Sequence, residues 1–195
     1  EKKIAKKVGW KYCVLVSSGT NAIYLSLKSL GIKKGDEVIC PSISWVATAA
    51  AISFLGAKPI FVDVNLDQNI NTLKIEKKIT KKTKAIMLVH ALGNCTNMPH
   101  LMKIVKKYNL ILIEDTCEAL GSKFNNNYLG SYGHISSFSF YFSHHITSGE
   151  GGLILCKSYN DYKILLSLRA HGWSREIDDL NKSKSNSFNN KFNFI

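Results

Sequence analysis

Seven short runs rich in apolar and β-branched residues constrain the fold of this 195-residue chain more strongly than any other feature. Turn residues or amphipathic stretches of helical spacing separate each run from the next. Apolar strands that alternate with helices indicate a mostly parallel sheet with helices on both faces. The sequence therefore predicts the α/β class.

The predicted strands are KYCVLVSS, DEVICP, KPIFVDV, KAIMLVHA, LILIEDT, ISSFSFY and GGLILCK. The predicted helices include NAIYLSLKSLG, WVATAAAISFLG, MPHLMKIVKKY and YKILLSLRAHG. Because 45% of the residues are hydrophobic, the chain can bury a substantial core, and one large domain is expected rather than two.

The net charge of +12 raises the question of nucleic-acid binding. All but two of the 26 basic residues are lysines spread over amphipathic stretches, and the two arginines are Arg169 and Arg175. Sites that read bases or phosphates favour arginine with interleaved aromatic residues. We therefore expect solvated helix faces and no nucleic-acid partner.

The cysteines indicate a reducing compartment, because they are odd in number, widely spaced and contain no CxxC pair. Their apolar neighbours favour core packing over a redox role, and no metal site is expected. No apolar run is long enough to cross a bilayer, so we expect no membrane association and a cytoplasmic location. The five are Cys13, Cys40, Cys95, Cys117 and Cys156.

Polar residues follow the predicted strands at the sheet edge where α/β proteins bind ligands. In SSGTNA, Gly19 and Thr20 open a predicted helix, whose free N–H groups favour a phosphate, although an ordinary N-cap is the alternative. Ser139 can donate to the same phosphate or can face solvent as a strand hydroxyl.

Asp115 ends the apolar run LILIED, which delivers a carboxylate to the end of a buried strand. An ionised group there needs a cationic partner, such as a protonated pyridine nitrogen, or an ordinary cap or salt bridge. Trp45 follows another strand, where its indole can stack on a flat heterocycle or can pack in the core.

Together SSGTNA, GDEVICPSISW, FVDV, LILIEDTCEALGS and SFSFYFSHHITSGEGG resemble the motifs of the DegT/DnrJ/EryC1/StrS family of nucleotide-sugar aminotransferases, in the family's order. The similarity runs from about Lys11 to Trp173. It implies the large domain of the aspartate-aminotransferase type (PLP fold type I), pyridoxal phosphate as cofactor, and a homodimer with a shared active site.

The same resemblance implies a partial cofactor-binding large domain over residues 1–175. Residues 176–195 are expected to begin a connecting segment, and the family's smaller C-terminal domain is missing. Because the chain does not begin with Met and stops without a closing element, we expect it to be part of a longer protein.

The family pattern has lysine at the position of His144. That lysine forms the Schiff base to the cofactor in the aminotransferases, and imidazole cannot. A small branch of the family carries the exchange, and SHHI, GEGG and LRAHGW are similar to it. The branch removes the 3-hydroxyl of a nucleotide-linked 4-keto-6-deoxy sugar, here expected to be GDP-4-keto-6-deoxymannose, through pyridoxamine phosphate, which glutamate regenerates.

The resemblance also assigns a role to each candidate site residue. His144 is the expected base and proton donor, and His171 is the expected second catalytic histidine. The expected cofactor-binding residues are Gly19, Thr20 and Ser139 at the phosphate, Trp45 stacked on the ring, Asp115 at the pyridine nitrogen, and Glu118 close by.

Three alternatives remain open. A dehydratase of a CDP-linked sugar uses an iron–sulfur cluster, but no cysteine group for such a cluster is present. An ordinary sugar aminotransferase is disfavoured by the missing lysine. The third is a non-catalytic protein that binds a sugar nucleotide or a partner.

Overall fold

A computed structural model describes residues 1–173 of the chain. The strands of this part are β1 (Tyr12–Val16), β2 (Glu37–Pro41), β3 (Lys58–Val62), β4 (Thr83–Val89), β5 (Ile111–Asp115), β6 (Lys123–Phe124), β7 (Asn127–Tyr128), β8 (Ile135–Ser139) and β9 (Gly152–Cys156). Its α-helices are α1 (Lys2–Lys7), α2 (Gly19–Ser29), α3 (Ala47–Phe54), α4 (Thr72–Ile75), α5 (Met98–Tyr108) and α6 (Tyr159–Arg169).

Seven strands form one sheet in the order β1-β9-β8-β5-β4-β2-β3, and β6 and β7 form a separate small hairpin. The pairs β8–β5, β5–β4, β4–β2 and β2–β3 are parallel, whereas β9 is antiparallel to both of its neighbours. All seven predicted strands lie in this sheet. The predicted α/β class with a mostly parallel sheet is confirmed.

Helices cover both faces of the sheet, and the alternation along β4 shows the two sides. Ala85 and Met87 pack in a cluster with residues of α2 and α3, whereas Ile86 and Leu88 pack with residues of α5. All four are fully buried. Burial of a large apolar side chain stabilises the fold by about 1.5–3 kcal/mol. Apolar packing on both faces therefore holds the strands, and the residues at their ends, in place.

Polar caps decide where two helices begin. The Ser18 side chain accepts from Asn21 N, so α2 begins at Gly19, two residues before the predicted start. The Ser158 side chain accepts from Asp161 N, so α6 begins at Tyr159 rather than at Tyr162. The apolar spacing locates each helix, and the cap sets its first turn.

No helix within residues 1–173 combines the length and the hydrophobicity needed to span a bilayer. Cys13, Cys40 and Cys156 are buried, as core packing predicts, whereas Cys95 and Cys117 are partly exposed. The boundary predicted after residue 175 and the segment predicted for residues 176–195 lie outside the described residues.

Candidate active site

A cavity of about 630 Å³ lies at the edge of the sheet where the parallel strands end. Its walls come from the start of α2, from the ends of β4, β5 and β8, and from the segments that follow β2, β3, β4, β5 and β8. Seven of the eight candidate residues line it, namely Gly19, Thr20, Trp45, Asp115, Glu118, Ser139 and His144. The fold therefore brings together motifs that are far apart in sequence.

The first turn of α2 forms one wall of the cavity. Ser18 is an ordinary N-cap, since its Oγ accepts from Asn21 N at 3.1 Å. The N–H groups of Gly19 and Thr20 have no acceptor within the helix, because the first turn of any helix leaves its donors without partners. Both residues line the cavity, where these donors and the helix dipole favour an anion.

Two glycines bring this turn against the sheet. A Cβ atom on Gly19 would lie 2.6 Å from Cβ of Ser139, and a Cβ atom on Gly152 would lie 2.9 Å from the backbone nitrogen of Gly19. Any larger residue at either position would push α2 away. Ser139 Oγ accepts from Tyr141 N at 3.2 Å, which leaves its proton free for a ligand.

Asp115 places a buried carboxyl group in the cavity wall, with only 7% of the residue exposed. Its Oδ1 accepts from Cys117 N at 3.1 Å. Burial raises the pKa of Asp115, and this effect outweighs the Cys117 hydrogen bonds and the attraction of His90, which lower it. The described part of the chain places no lysine or arginine in an ion pair with Asp115. A bound cation would supply the positive partner for the Asp115 carboxylate.

Trp45 lies in the segment between β2 and α3, and 77% of it is exposed. The core-packing alternative for this residue is therefore wrong. Its indole lines the cavity, and an exposed aromatic face at a cavity mouth can stack on a planar ligand.

Glu118 holds the segment that follows β4. Its Oε2 accepts from Leu92 N at 2.9 Å, and Leu92 has a φ of 54° in the left-handed region. A leucine rarely adopts this conformation without support from its surroundings. Glu118 thus lines the cavity and also shapes its wall, a role that the sequence did not indicate.

His144 lies in the loop between β8 and β9 and is partly buried. Its backbone N–H donates to Tyr141 O at 3.0 Å, and its ring meets the Tyr141 ring edge to face at 6.4 Å. The loop is closed at its base, where Phe140 N donates to Gly151 O. These contacts present the imidazole at the cavity, whereas the adjacent His145 is exposed and is not a lining residue.

His171 follows α6 and does not line the cavity formed by the described residues. It is exposed, so it is not a core histidine, and its ring lies edge to face with Trp173 at 6.2 Å. Its φ of 62° is unusual for a residue other than glycine. Its catalytic role stays a prediction.

The structure also reveals a buried pair that sequence reasoning missed. His90 Nε2 lies 2.8 Å from Glu114 Oε2, and both side chains are fully buried. Glu114 also accepts from the backbone nitrogens of Gly130, Tyr132 and Gly133. His90 N donates to Asp115 O, so the pair fixes the ends of β4 and β5 beneath the cavity.

Within residues 1–173, no cluster of three or more His, Cys, Asp or Glu side chains is arranged to hold a metal ion. The polar groups of the cavity instead suit an anionic, planar organic ligand. Its anion would meet α2 and Ser139, its plane would meet Trp45, and a cationic atom would meet Asp115.

Comparison with known proteins gives a family and close relatives. The DegT/DnrJ/EryC1/StrS aminotransferase family matches residues 1–194. GDP-4-keto-6-deoxy-D-mannose 3-dehydratase of Escherichia coli O55:H7 is 38% identical over 206 aligned positions, covering 100% of this chain and 53% of that protein. GDP-perosamine synthase of Escherichia coli O157:H7 is 43% identical over 173 positions, covering 88% of this chain and 48% of that protein. The chain thus spans about half the length of these curated relatives.

Solved structures of related enzymes superpose closely on this chain. A histidine-to-asparagine variant of GDP-4-keto-6-deoxymannose-3-dehydratase with bound GDP-perosamine superposes with a TM-score of 0.92 at 38% identity, covering 100% of this chain and 53% of that chain. The same enzyme with a trapped PLP-glutamate geminal diamine gives 0.86 at 40% identity, covering 91% and 48%. The expected fold, the large domain of the aspartate-aminotransferase type, is confirmed.

Proposed function

Since this chain belongs to the DegT/DnrJ/EryC1/StrS aminotransferase family, we propose that its full-length protein is a sugar 3-dehydratase that uses pyridoxal phosphate and pyridoxamine phosphate. The proposed substrate is GDP-4-keto-6-deoxymannose, and glutamate is the proposed amino donor. In the balanced reaction the sugar loses its 3-oxygen, and glutamate becomes 2-oxoglutarate with release of ammonia. The observation that carries the proposal is His144 in a cavity lined by the six residues expected to bind the cofactor.

The residues of the cavity fit the proposed cofactor. Gly19, Thr20 and Ser139 would hold its phosphate, Trp45 would stack on its ring, and Asp115 would pair with its protonated pyridine nitrogen. The buried Asp115 carboxylate would gain the cation that the described residues do not supply. When bound, the cofactor supplies an electron sink for breaking bonds next to the sugar's 4-carbon.

His144 would perform the proton transfers. An imidazole without a covalent bond to the cofactor accepts a proton near neutral pH and can return it to a leaving hydroxyl. The closed base of its loop and the contact with Tyr141 would hold the ring at the cavity. We assign both the removal of a carbon-bound proton and the protonation of the departing 3-hydroxyl to this residue.

A homodimer with a shared active site is part of the proposal. Large apolar side chains stand exposed around the cavity mouth, and such surfaces favour association with another protein surface. Sedimentation velocity of the full-length protein would test the assembly. The side chains are Ile43, Trp45, Val46, Leu92 and Phe142.

The decisive experiment is a product assay of the full-length protein with GDP-4-keto-6-deoxymannose, pyridoxal phosphate and glutamate, read by mass spectrometry. The expected product lacks one oxygen, and 2-oxoglutarate accumulates in proportion. A product in which an amino group replaces the 4-keto oxygen would instead indicate amino transfer, the alternative that the GDP-perosamine synthase relative supports. Absence of both products and of 2-oxoglutarate would leave the non-catalytic binding protein.

A further inference from the structure

Two consecutive serines of β8 have buried hydroxyls with no hydrogen-bond partner among the described residues. Ser136 and Ser137 are both fully buried, and the Oγ atom of each is unpartnered. A buried hydroxyl without a partner destabilises a fold, because it has lost its hydrogen bonds to water. Such a group calls for an explanation, and the surroundings of Ser137 offer one.

Each serine is paired across the sheet with a carboxylate residue of β5. Ser136 is in register with Glu114, and Ser137 is in register with Asp115. Paired residues of neighbouring parallel strands point to the same face of the sheet, and successive residues point to opposite faces. Ser137 therefore lies on the cavity face beside Asp115, and Ser136 lies on the opposite face beside Glu114.

The two carboxylates differ in how many acceptor positions remain. Glu114 accepts from His90 and from three backbone N–H groups, which uses about all four lone-pair positions of a carboxylate. Asp115 accepts from Cys117 N and lies beside the Cys117 thiol. The Glu114 carboxylate therefore has no free acceptor position for the Ser136 hydroxyl, whereas the Asp115 carboxylate can still accept from a ligand and from one more donor.

We infer that Ser137 is a positioning residue for Asp115, whose hydroxyl donates to the Asp115 carboxylate when the cofactor binds; this inference rests on the proposed function. Neighbouring strands lie about 4.7–4.9 Å apart, so a rotamer change brings a serine hydroxyl within reach of the paired carboxylate. Thr116 holds the backbone beside it, because its N–H and its hydroxyl both donate to Ser137 O. The bond would fix the carboxylate plane toward the pyridine nitrogen.

The test compares Ser137→Ala with the matched control Ser136→Ala in the full-length protein. Both variants remove an unpartnered hydroxyl, so the melting temperature of each apo protein should equal or exceed that of wild type. Isothermal titration with pyridoxal phosphate should show affinity about tenfold weaker for Ser137→Ala, the loss expected for a hydrogen bond to a charged group. Ser136→Ala should bind like wild type, and Ser137→Thr should keep most of the affinity.

A double-mutant cycle with Asp115→Asn shows whether Ser137 acts through Asp115. In a protein that already carries Asp115→Asn, the change Ser137→Ala should cause no further loss of affinity. Wild-type affinity in Ser137→Ala, equal losses in both alanine variants, an additive cycle, or unfolding of apo Ser137→Ala would each overturn the inference. If wild type itself does not bind pyridoxal phosphate, the proposed function fails instead.

Discussion

Gly152 lies directly beneath the peptide that joins Ser18 to Gly19, so close that a Cβ atom on Gly152 would stand 2.6 Å from the Ser18 carbonyl carbon. Gly152 begins β9 and is in register with both Val16 and Ser139. One missing side chain thus allows the first turn of α2 to rest on the sheet edge beside the candidate phosphate donors.

Replacing Gly152 with alanine should displace the first turn of α2 and weaken pyridoxal phosphate binding by at least tenfold. The physical reason is steric, because backbone atoms of Ser18 and Gly19 occupy the space that a Cβ needs. Calorimetric titration of the purified variant measures the loss. Gly133→Ala is the matched control, since its Cβ would approach the backbone of Leu112 at 2.6 Å, at the opposite end of β8. That variant should lose stability but keep the cofactor affinity of its folded fraction, and equal affinity losses in both would contradict the assignment.

Asp115→Asn should abolish turnover without unfolding the protein, because a neutral amide cannot stabilise a pyridinium. Burial raises the pKa of Asp115 above its ordinary 3.8, so the folded apo protein holds this proton more tightly than the unfolded chain. The group therefore stabilises the apo fold below that value, and this contribution is lost as the pH rises toward the folded pKa. Melting curves of both apo proteins across that range should show Asp115→Asn gaining stability relative to wild type with rising pH. Wild-type turnover in the variant would remove Asp115 from the reaction. A stability difference that does not change with pH would contradict a raised pKa for Asp115 in the apo protein.

His144→Lys should allow the protein to capture pyridoxal phosphate covalently. A lysine amine at this position can form an imine with the cofactor's aldehyde, and borohydride reduction makes the bond permanent. Peptide mapping by mass spectrometry should find the adduct at residue 144 in the variant and not in wild type. Dehydration should fall steeply, because a lysine ammonium is a poor base near pH 7. His145→Lys is the control, since that residue does not line the cavity, and an adduct there but not at residue 144 would show that the motif has been aligned one residue off.

His171→Asn should bind pyridoxal phosphate with wild-type affinity but dehydrate the sugar poorly. Asparagine tolerates the left-handed backbone conformation that His171 adopts, so the change removes the imidazole without straining the chain. Titration and the product assay separate the two effects. Wild-type turnover would exclude His171 from the reaction, and loss of cofactor binding would indicate a structural role.

Glu114→Gln should destabilise the protein by about 1–3 kcal/mol, because an amide has one acceptor oxygen where the carboxylate has two, so a buried backbone N–H that donates to Glu114 loses its acceptor. Chemical denaturation of the apo protein measures the change. Glu76→Gln, which removes an exposed pair with Lys107, should have little effect. Similar small effects in both variants would mean that the buried pair contributes no more than a surface pair.

The strands and their burial could be predicted from the sequence because each strand carries its signal within a few residues. IMLV in β4 and ILI in β5 are apolar on both faces, which is typical of central strands. The hairpin of β6 and β7 was missed because two-residue strands show no periodicity. Helix α1 was missed because its six residues bury only Ala5.

The site could be predicted in part for a similar reason. Residues at the ends of strands, such as Asp115 and Ser139, are positioned where a local apolar pattern ends. The pairing of His90 with Glu114 depends on which strands are neighbours, and strand order is a long-range property that no local pattern encodes. The hydrogen bond from Leu92 N to Glu118 depends on an unusual backbone conformation that leucine does not signal.

The direction of β9 has a consequence for how a protein of this kind can change over time. Because β9 is antiparallel to β8, residues 140–151 leave the sheet and return to it at the same edge, and Phe140 and Gly151 fasten the two ends together. The stretch is an insert whose sequence can vary while every strand keeps its neighbours. The groups expected to hold the cofactor lie outside this insert, apart from Ser139 at its border, whereas His144 lies within it. On the proposed roles, a single substitution at position 144 would change the reaction while the groups expected to meet the cofactor's phosphate, ring and pyridine nitrogen keep their places in the sheet.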